Sequence, residues 1–387
     1  MLLLRTSTSA YGRAMCSLRR AVASKKDASE DSTLVACLAL AYYQWFGEFS
    51  GLAGWRAHLD GVAAFLHFRG YDSFSSGISH RIFAACRYPT ILHDLNARPS
   101  SRQSFLDSAM WKTLPWRAME KSRYHELLDV LAHLPTLDVF RKEIQDQDDA
   151  VIQVHKRRSL ISRVWKVESA LKEQWLETLT SGDRTLEITH STARATFPGS
   201  TSPFPQSYVF SNPAAASMHV LYWAILTRLY TLLKLEYLAL QGIETSYFAP
   251  GHAVSLRCHA CYSAFVASQT AAFDGCVCGW SRNQPSHDIS DLPGMPDEAT
   301  ILAATVSICM SVDYLLRDNS LFRTAQALAW PLTQAIHVFT SRLPGTEHQL
   351  DWARAVIAEL KITGFFDSLW QYRRHPGVST AIIASTN

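Results

Sequence analysis

Apolar positions along the chain recur at spacings of three and four, the period of a helix with one buried face. Leu34, Leu38, Ala41, Tyr42 and Trp45 predict a helix from Leu34 to Phe46, with Asp31 and Ser32 as N-cap candidates. Gly47 and Gly51-Leu-Ala-Gly54 are expected to end it and form a connection. Trp55, His58, Leu59, Val62, Phe65 and Leu66 then mark a second amphipathic helix, closed by Arg69-Gly70. Together the two helices make a helical hairpin. Gly61 lies inside the second helix, where Gly costs about 1 kcal/mol relative to Ala. A close crossing of the two helices would account for it.

The same periodicity continues. Ile82 to Leu95 reads as a helix in which Pro89 marks a kink or a first turn, followed by a turn at Arg98-Pro-Ser-Ser-Arg102. A helix from Tyr124 to His133 is expected to stop at Pro135, with Leu137 to Ile144 as the next. Val151 to Leu179 reads as a long helix carrying Trp165, Leu171 and Trp175, and Asp146, Asp148 and Asp149 at its N-terminal side complement its dipole. Residues 180–215 are rich in Thr, Ser, Gly and Pro and read as irregular. Met218 to Leu240 and His252 to Ala271 resume the helical pattern, a second irregular stretch spans 274–297, and Glu298 to Leu316, Thr324 to Phe339 and Gln349 to Phe366 follow as helices. Alternation of period two is almost absent and no fixed repeat is visible. The expected fold is therefore all-α, a single compact body of antiparallel helical hairpins. Residues 1–179 form its N-terminal part, 180–215 a connection, and 216–387 its C-terminal part.

Composition narrows the picture. With 387 residues, 48% hydrophobic and 18% charged, the chain has ample material for a large core. A net charge of +3 lacks the basic excess of a chain dominated by nucleic-acid contacts. Eight cysteines are too few for a disulfide scaffold, and Cys37, Cys86 and Cys309 lie in apolar helical patterns that suit reduced core thiols. The most apolar run, Met218 to Leu240, is interrupted by Arg228, Lys234 and Glu236, which argues for a buried helix over a membrane span of about 20 uncharged residues. The first 26 residues carry six Arg or Lys and no acid. That suits a mitochondrial presequence. A structural helix with Tyr11, Ala14, Leu18 and Val22 on one face competes with that reading and is favoured over it.

Few residues ask for chemistry. Cys258, Cys261, Cys276 and Cys278 form a Cys-x2-Cys-x14-Cys-x-Cys pattern that would supply four thiolates to a zinc ion. Core and loop thiols explain the same residues, and we favour that reading because the second pair departs from zinc-ribbon spacing. His58 and His67 lie nine apart, near opposite helix faces, so they do not form a metal pair; His58 reads as an interhelical hydrogen-bonding histidine. His287, Asp288 and Asp291 form a small polar loop cluster. Nucleophile-elbow, phosphate-loop, dinucleotide and zinc-protease motifs are absent. Arg19-Arg20 with Lys25-Lys26 would serve as a split nuclear-import signal, but solvated helix faces are the commoner explanation of these and of Lys156-Arg157-Arg158. Eleven Trp and 18 Phe are explained first by core packing, and an apolar pocket for a small molecule is a second use for them.

The run Trp55-x2-His58-Leu59-x-Gly61, its apolar face and Arg69-Gly70 resemble the hairpin of the fungal-specific transcription factor regulatory domain. That domain follows a binuclear zinc-cluster DNA-binding module. The likeness runs from about residue 8 to 370. Tyr11-Gly-Arg-Ala14 resembles the family's preceding helix, and Ser104-Phe105-Leu106 through Trp111 to Pro115-Trp116 its segment after the third helix. Met218 to Ala224, with Trp223, and Ala304 to Tyr314, with Cys309, resemble two further helices. The family's Cys-x2-Cys-x6-Cys module has no counterpart in this sequence. The resemblance implies a nuclear regulatory body, with cytoplasm and mitochondrion as lesser alternatives, that acts through partners in the transcription machinery and lacks its own DNA contact and membrane attachment. It leaves room for a homodimer and a small apolar effector, and implies no catalytic residues and no cofactor. The alternative is an all-α enzyme or binding protein of fungal secondary metabolism with an aromatic-lined pocket.

Overall fold

The computed structural model describes residues 2–46, 51–96, 104–180, 188–192, 202–247, 292–317, 321–341 and 345–360. The described chain is all-α apart from one short strand pair. In the N-terminal half, α1 (Leu2–Ala23) and a single turn α2 (Lys25–Ala28) lead into α3 (Asp31–Phe46), α4 (Gly51–Arg69) and α5 (Gly77–Asn96). Short α6 (Ala109–Thr113) precedes α7 (Arg123–Gln145) and α8 (Ala150–Thr180). After β1 (Ile188–Thr192) and β2 (Gln206–Phe210) come α9 (Pro213–Tyr247), α10 (Glu298–Met310), α11 (Val312–Leu316), α12 (Leu321–Thr340) and α13 (Glu347–Glu359). One apolar cluster runs through both halves, from Leu34 and Trp55 to Trp330 and Val356.

The hairpin forms as the periodicity predicts, with α3 packed along α4. Its connection is shorter than expected, because Gly51 to Gly54 already belong to α4. Trp55 and Leu59 are fully buried, and Trp55 meets the Trp45 ring edge-on at 5.8 Å, so packing draws the preceding turn into the helix. Gly70 ends α4 at φ +72°, a left-handed conformation that Gly adopts without strain, and its N–H bonds to the Leu66 carbonyl at 3.0 Å.

Pro135 does not end a helix. Residues 123–145 form one helix with Pro135 inside it. Pro removes one helix hydrogen bond there, but Leu131, Leu134 and Leu137 bury on either side of it. Asp107 clamps the same turn, accepting from His133 Nδ1 at 2.9 Å and Thr136 Oγ1 at 2.7 Å. Burial pushes the Asp107 carboxyl up, but hydrogen bonds from His133, Lys112 and Thr136 outweigh it and bring it to about 2. Pro89 likewise sits inside α5. Asp149 proves to be a capping acid, accepting from the N–H groups of Val151 and Ile152 at 2.8 and 3.1 Å.

The stretch expected to be irregular holds the strand pair. Residues 188–192 run antiparallel to 206–210, with Ile188 opposite Phe210. Burial of Phe210 drives the pairing: its ring packs on Trp223 and, at 5.2 Å, on Tyr314. The predicted helix from Glu298 divides at Ser311 into α10 and α11. Glu298–Arg317 is long and apolar enough to cross a membrane, with a mean hydropathy of 1.7. Its buried residues Ile301, Ile308 and Cys309 belong to the shared core, and α10 packs on α9 and α12. Arg157, read from the sequence as part of a solvated basic face, is buried and pairs with Glu236.

Candidate functional site

Helix α1 carries no acidic residue, and its Leu18 and Val22 face the hairpin. It packs on α2 and α3 and stands off from one side of α4. That leaves a cavity of about 650 Å³, within the range that holds a small molecule. On α4 its wall is Ala57, His58, Gly61, Ala64, Phe65 and Phe68, one helical face at spacings of three and four. Leu18, Arg19, Val22 and Ala23 of α1 form the opposite wall, and Ala28 and Cys37 complete it. Val22 and Phe68 stay half exposed at the mouth, at 49% and 56%.

Gly61 is not required by a close crossing. A Cβ there would meet only Cys37 Sγ, at 3.8 Å, an ordinary contact. The expectation that close packing explains this glycine is therefore corrected. What Gly61 does is keep open the space between α4 and α1.

The polar groups of the floor are two. His58 is 8% exposed, and its Nε2 lies 3.0 Å from Tyr11 Oη. This is the interhelical role expected for it. Burial lowers its pKa, so the ring is neutral at physiological pH and one nitrogen donates while the other accepts. Its Nδ1 has no hydrogen-bond partner among the described residues. Cys37 is 3% exposed, and burial pushes its thiol up to about 11. A nucleophilic Cys–His pair needs the opposite arrangement, a depressed thiol beside a protonated imidazole. Among the described residues no carboxylate lines the cavity, and Arg19 is the one charged residue of the lining. The described lining is mostly apolar, with a neutral imidazole and a protonated thiol as its uncharged polar groups.

The other residues singled out in the sequence are distributed through the core. Arg69 donates to Asp31 Oδ1 at 2.6 Å and to Ser79 Oγ at 3.2 Å, joining α4, α3 and α5, and lies over the Phe74 ring. Trp111 packs among Phe74, Phe83 and Phe105. Trp223 stacks on Tyr208 at 5.3 Å near Phe210, which reaches Tyr314, and Cys309 is buried in α10. Of this set, His58 and Gly61 line the cavity; Arg69, Trp111, Trp223, Cys309 and Tyr314 lie elsewhere in the core. Cys258, Cys261, Cys276 and Cys278, the candidate zinc ligands, lie outside the described residues, as do His287, Asp288 and Asp291. Among the described residues no group of three or more His, Cys, Asp or Glu is placed to hold a metal ion.

A second polar centre lies at the α5–α7 contact. Arg87 is fully buried, pairs with Asp129 and donates to the His125 carbonyl at 3.0 Å. Burial, with Arg87, His80 and Lys121 adding to it, lowers His125 to about 3. Trp116 packs against both Arg87 and His125, and the centre fastens two helices together.

No protein-family model, curated protein or solved structure matches this chain.

Proposed function

We propose that this chain is a transcription-regulator-like helical body that acts through protein partners and responds to a small apolar effector held between α1 and α4. The observation that carries the reading is the cavity of about 650 Å³, walled by Leu18, Val22, Phe65 and Phe68 over a neutral His58 and an unreactive Cys37. A mostly apolar site of this size suits binding of a small molecule. The order of motifs that resembles the fungal-specific transcription factor regulatory domain supports the regulatory part. A net charge of +3 supports action through partners rather than by direct DNA contact.

The test joins the full chain to a heterologous DNA-binding domain and measures a reporter behind that domain's site. The reading expects a severalfold change, up or down, from the DNA-binding domain alone. An unchanged reporter, with the fusion present in the nucleus at equal level, would overturn it.

A further inference from the structure

We infer that the ligand of the α1–α4 cavity is a small organic acid with an apolar body, its anionic end held by Arg19 and its body lying on Gly61 over His58. The inference deepens the regulatory reading and rests on it for the use made of the ligand. Arg19 lines the cavity, is exposed, and has no ion pair or hydrogen bond among the described residues. The lining holds no acid, and α1 carries none along its length. Asp60 of α4 is turned to His93 Nε2 at 3.4 Å. Among the described lining residues the one charge is thus positive, which favours an anion.

The floor fixes the size and shape of the body. His58 and Cys37 are more than nine-tenths buried, yet both line the cavity. A partner helix laid across the mouth would touch Val22, Ala57, Ala64 and Phe68 and leave that floor unfilled. A slim molecule reaches it. Walls of Leu, Val, Ala and Phe select an apolar body, and His58 adds one neutral polar side chain to the lining.

The experiment titrates the full-length protein by calorimetry with two probe pairs, decanoate against decanol and naphthylacetate against naphthylethanol. One member of each pair carries the charge on the same type of body. At least one acid is expected to bind one to one, about fivefold tighter than its alcohol, the effect of one partly exposed ion pair. Arg19→Gln removes the preference and keeps the alcohol's affinity, and added salt does the same. Gly61→Leu fills the cavity and abolishes binding of both. Leu is a good helix former, so its thermal unfolding reports an intact fold. Equal affinity for acid and alcohol, a preference that survives Arg19→Gln, or binding untouched by Gly61→Leu would each overturn the inference. So would failure of all four probes to bind, even with an active reporter fusion. A silent reporter with Arg19-dependent binding would instead overturn the regulatory reading and leave the ligand class standing.

Discussion

Tyr11 Oη lies 3.0 Å from Nε2 of His58, and this single bond ties α1 to the hairpin helix behind the cavity. Tyr11 also stacks on Tyr43 of α3 at 5.0 Å. The pair sets where α1 stands and so how wide the cavity is. Tyr11→Phe keeps the stack and loses the bond, a cost of about 1 kcal/mol. Trypsin is then expected to cut sooner after Arg13, Arg19 and Arg20, while global unfolding shifts little. Unchanged cleavage would mean that the bond does not hold α1.

Asp31 gathers Arg69 and Ser79 at the junction of α3, α4 and α5. Asp31→Ala leaves the Arg69 guanidinium, mostly buried, without its carboxylate. Loss of about 2–3 kcal/mol is expected in denaturant unfolding. Asp31→Asn keeps the acceptor and should lose less. Gly70→Ala, forced to the same positive φ, should cost about 1–2 kcal/mol.

Glu236 is 1% exposed and accepts from Arg141 Nε at 2.7 Å and from Arg157, joining α7, α8 and α9. Glu236→Leu strands two partly or fully buried cations. A loss of about 3–5 kcal/mol is expected. Adding Arg157→Met should recover part of it. Additive losses in the double variant would show that the two residues do not interact.

Acid should loosen the α5–α7 contact before carboxylates protonate. His125 Nδ1 faces Arg87 Nη1 at 3.3 Å and must accept, so the folded ring stays neutral down to about 3. In the unfolded chain it takes a proton near its ordinary 6.5. The unfolded state thus binds more protons, so stability is fully present above 6.5 and falls as pH drops below it, by up to about 1.4 kcal/mol per unit. His58, also lowered by burial, acts in the same direction. His125→Gln keeps an acceptor for Arg87 and removes the proton, so its unfolding free energy between pH 7 and 5 should vary less than that of the parent. An equal slope in both would place the titration elsewhere.

What was legible in the sequence followed from local periodicity. Leu34 to Phe46 and Trp55 to Arg69 repeat their apolar positions within one turn, and both helices formed, though α3 takes in the cap candidates Asp31 and Ser32 and α4 begins at Gly51. Pro135 was misread because the residues that hold its turn, Asp107 and the buried leucines, are distant or core-facing. The strand pair was missed because Phe210 is ordered by Trp223 and Tyr314, contacts that no short window contains. The place of the cavity was not legible. Gly61 reads as the mark of a close helix crossing, and periodicity cannot say whether a facing helix closes on it or stands away. Arg157 shows the same limit, since its neighbours in sequence are basic and its partner Glu236 lies 79 residues on.

The most direct measurement of the central claim compares reporter output from three fusions: the parent chain, Gly61→Leu, and Arg117→Gln, which changes an exposed ion pair with Asp72 away from the cavity. The account predicts that the parent and Arg117→Gln shift the reporter alike, and that filling the cavity moves Gly61→Leu to a different level at equal protein abundance. A Gly61→Leu fusion indistinguishable from the parent would contradict it.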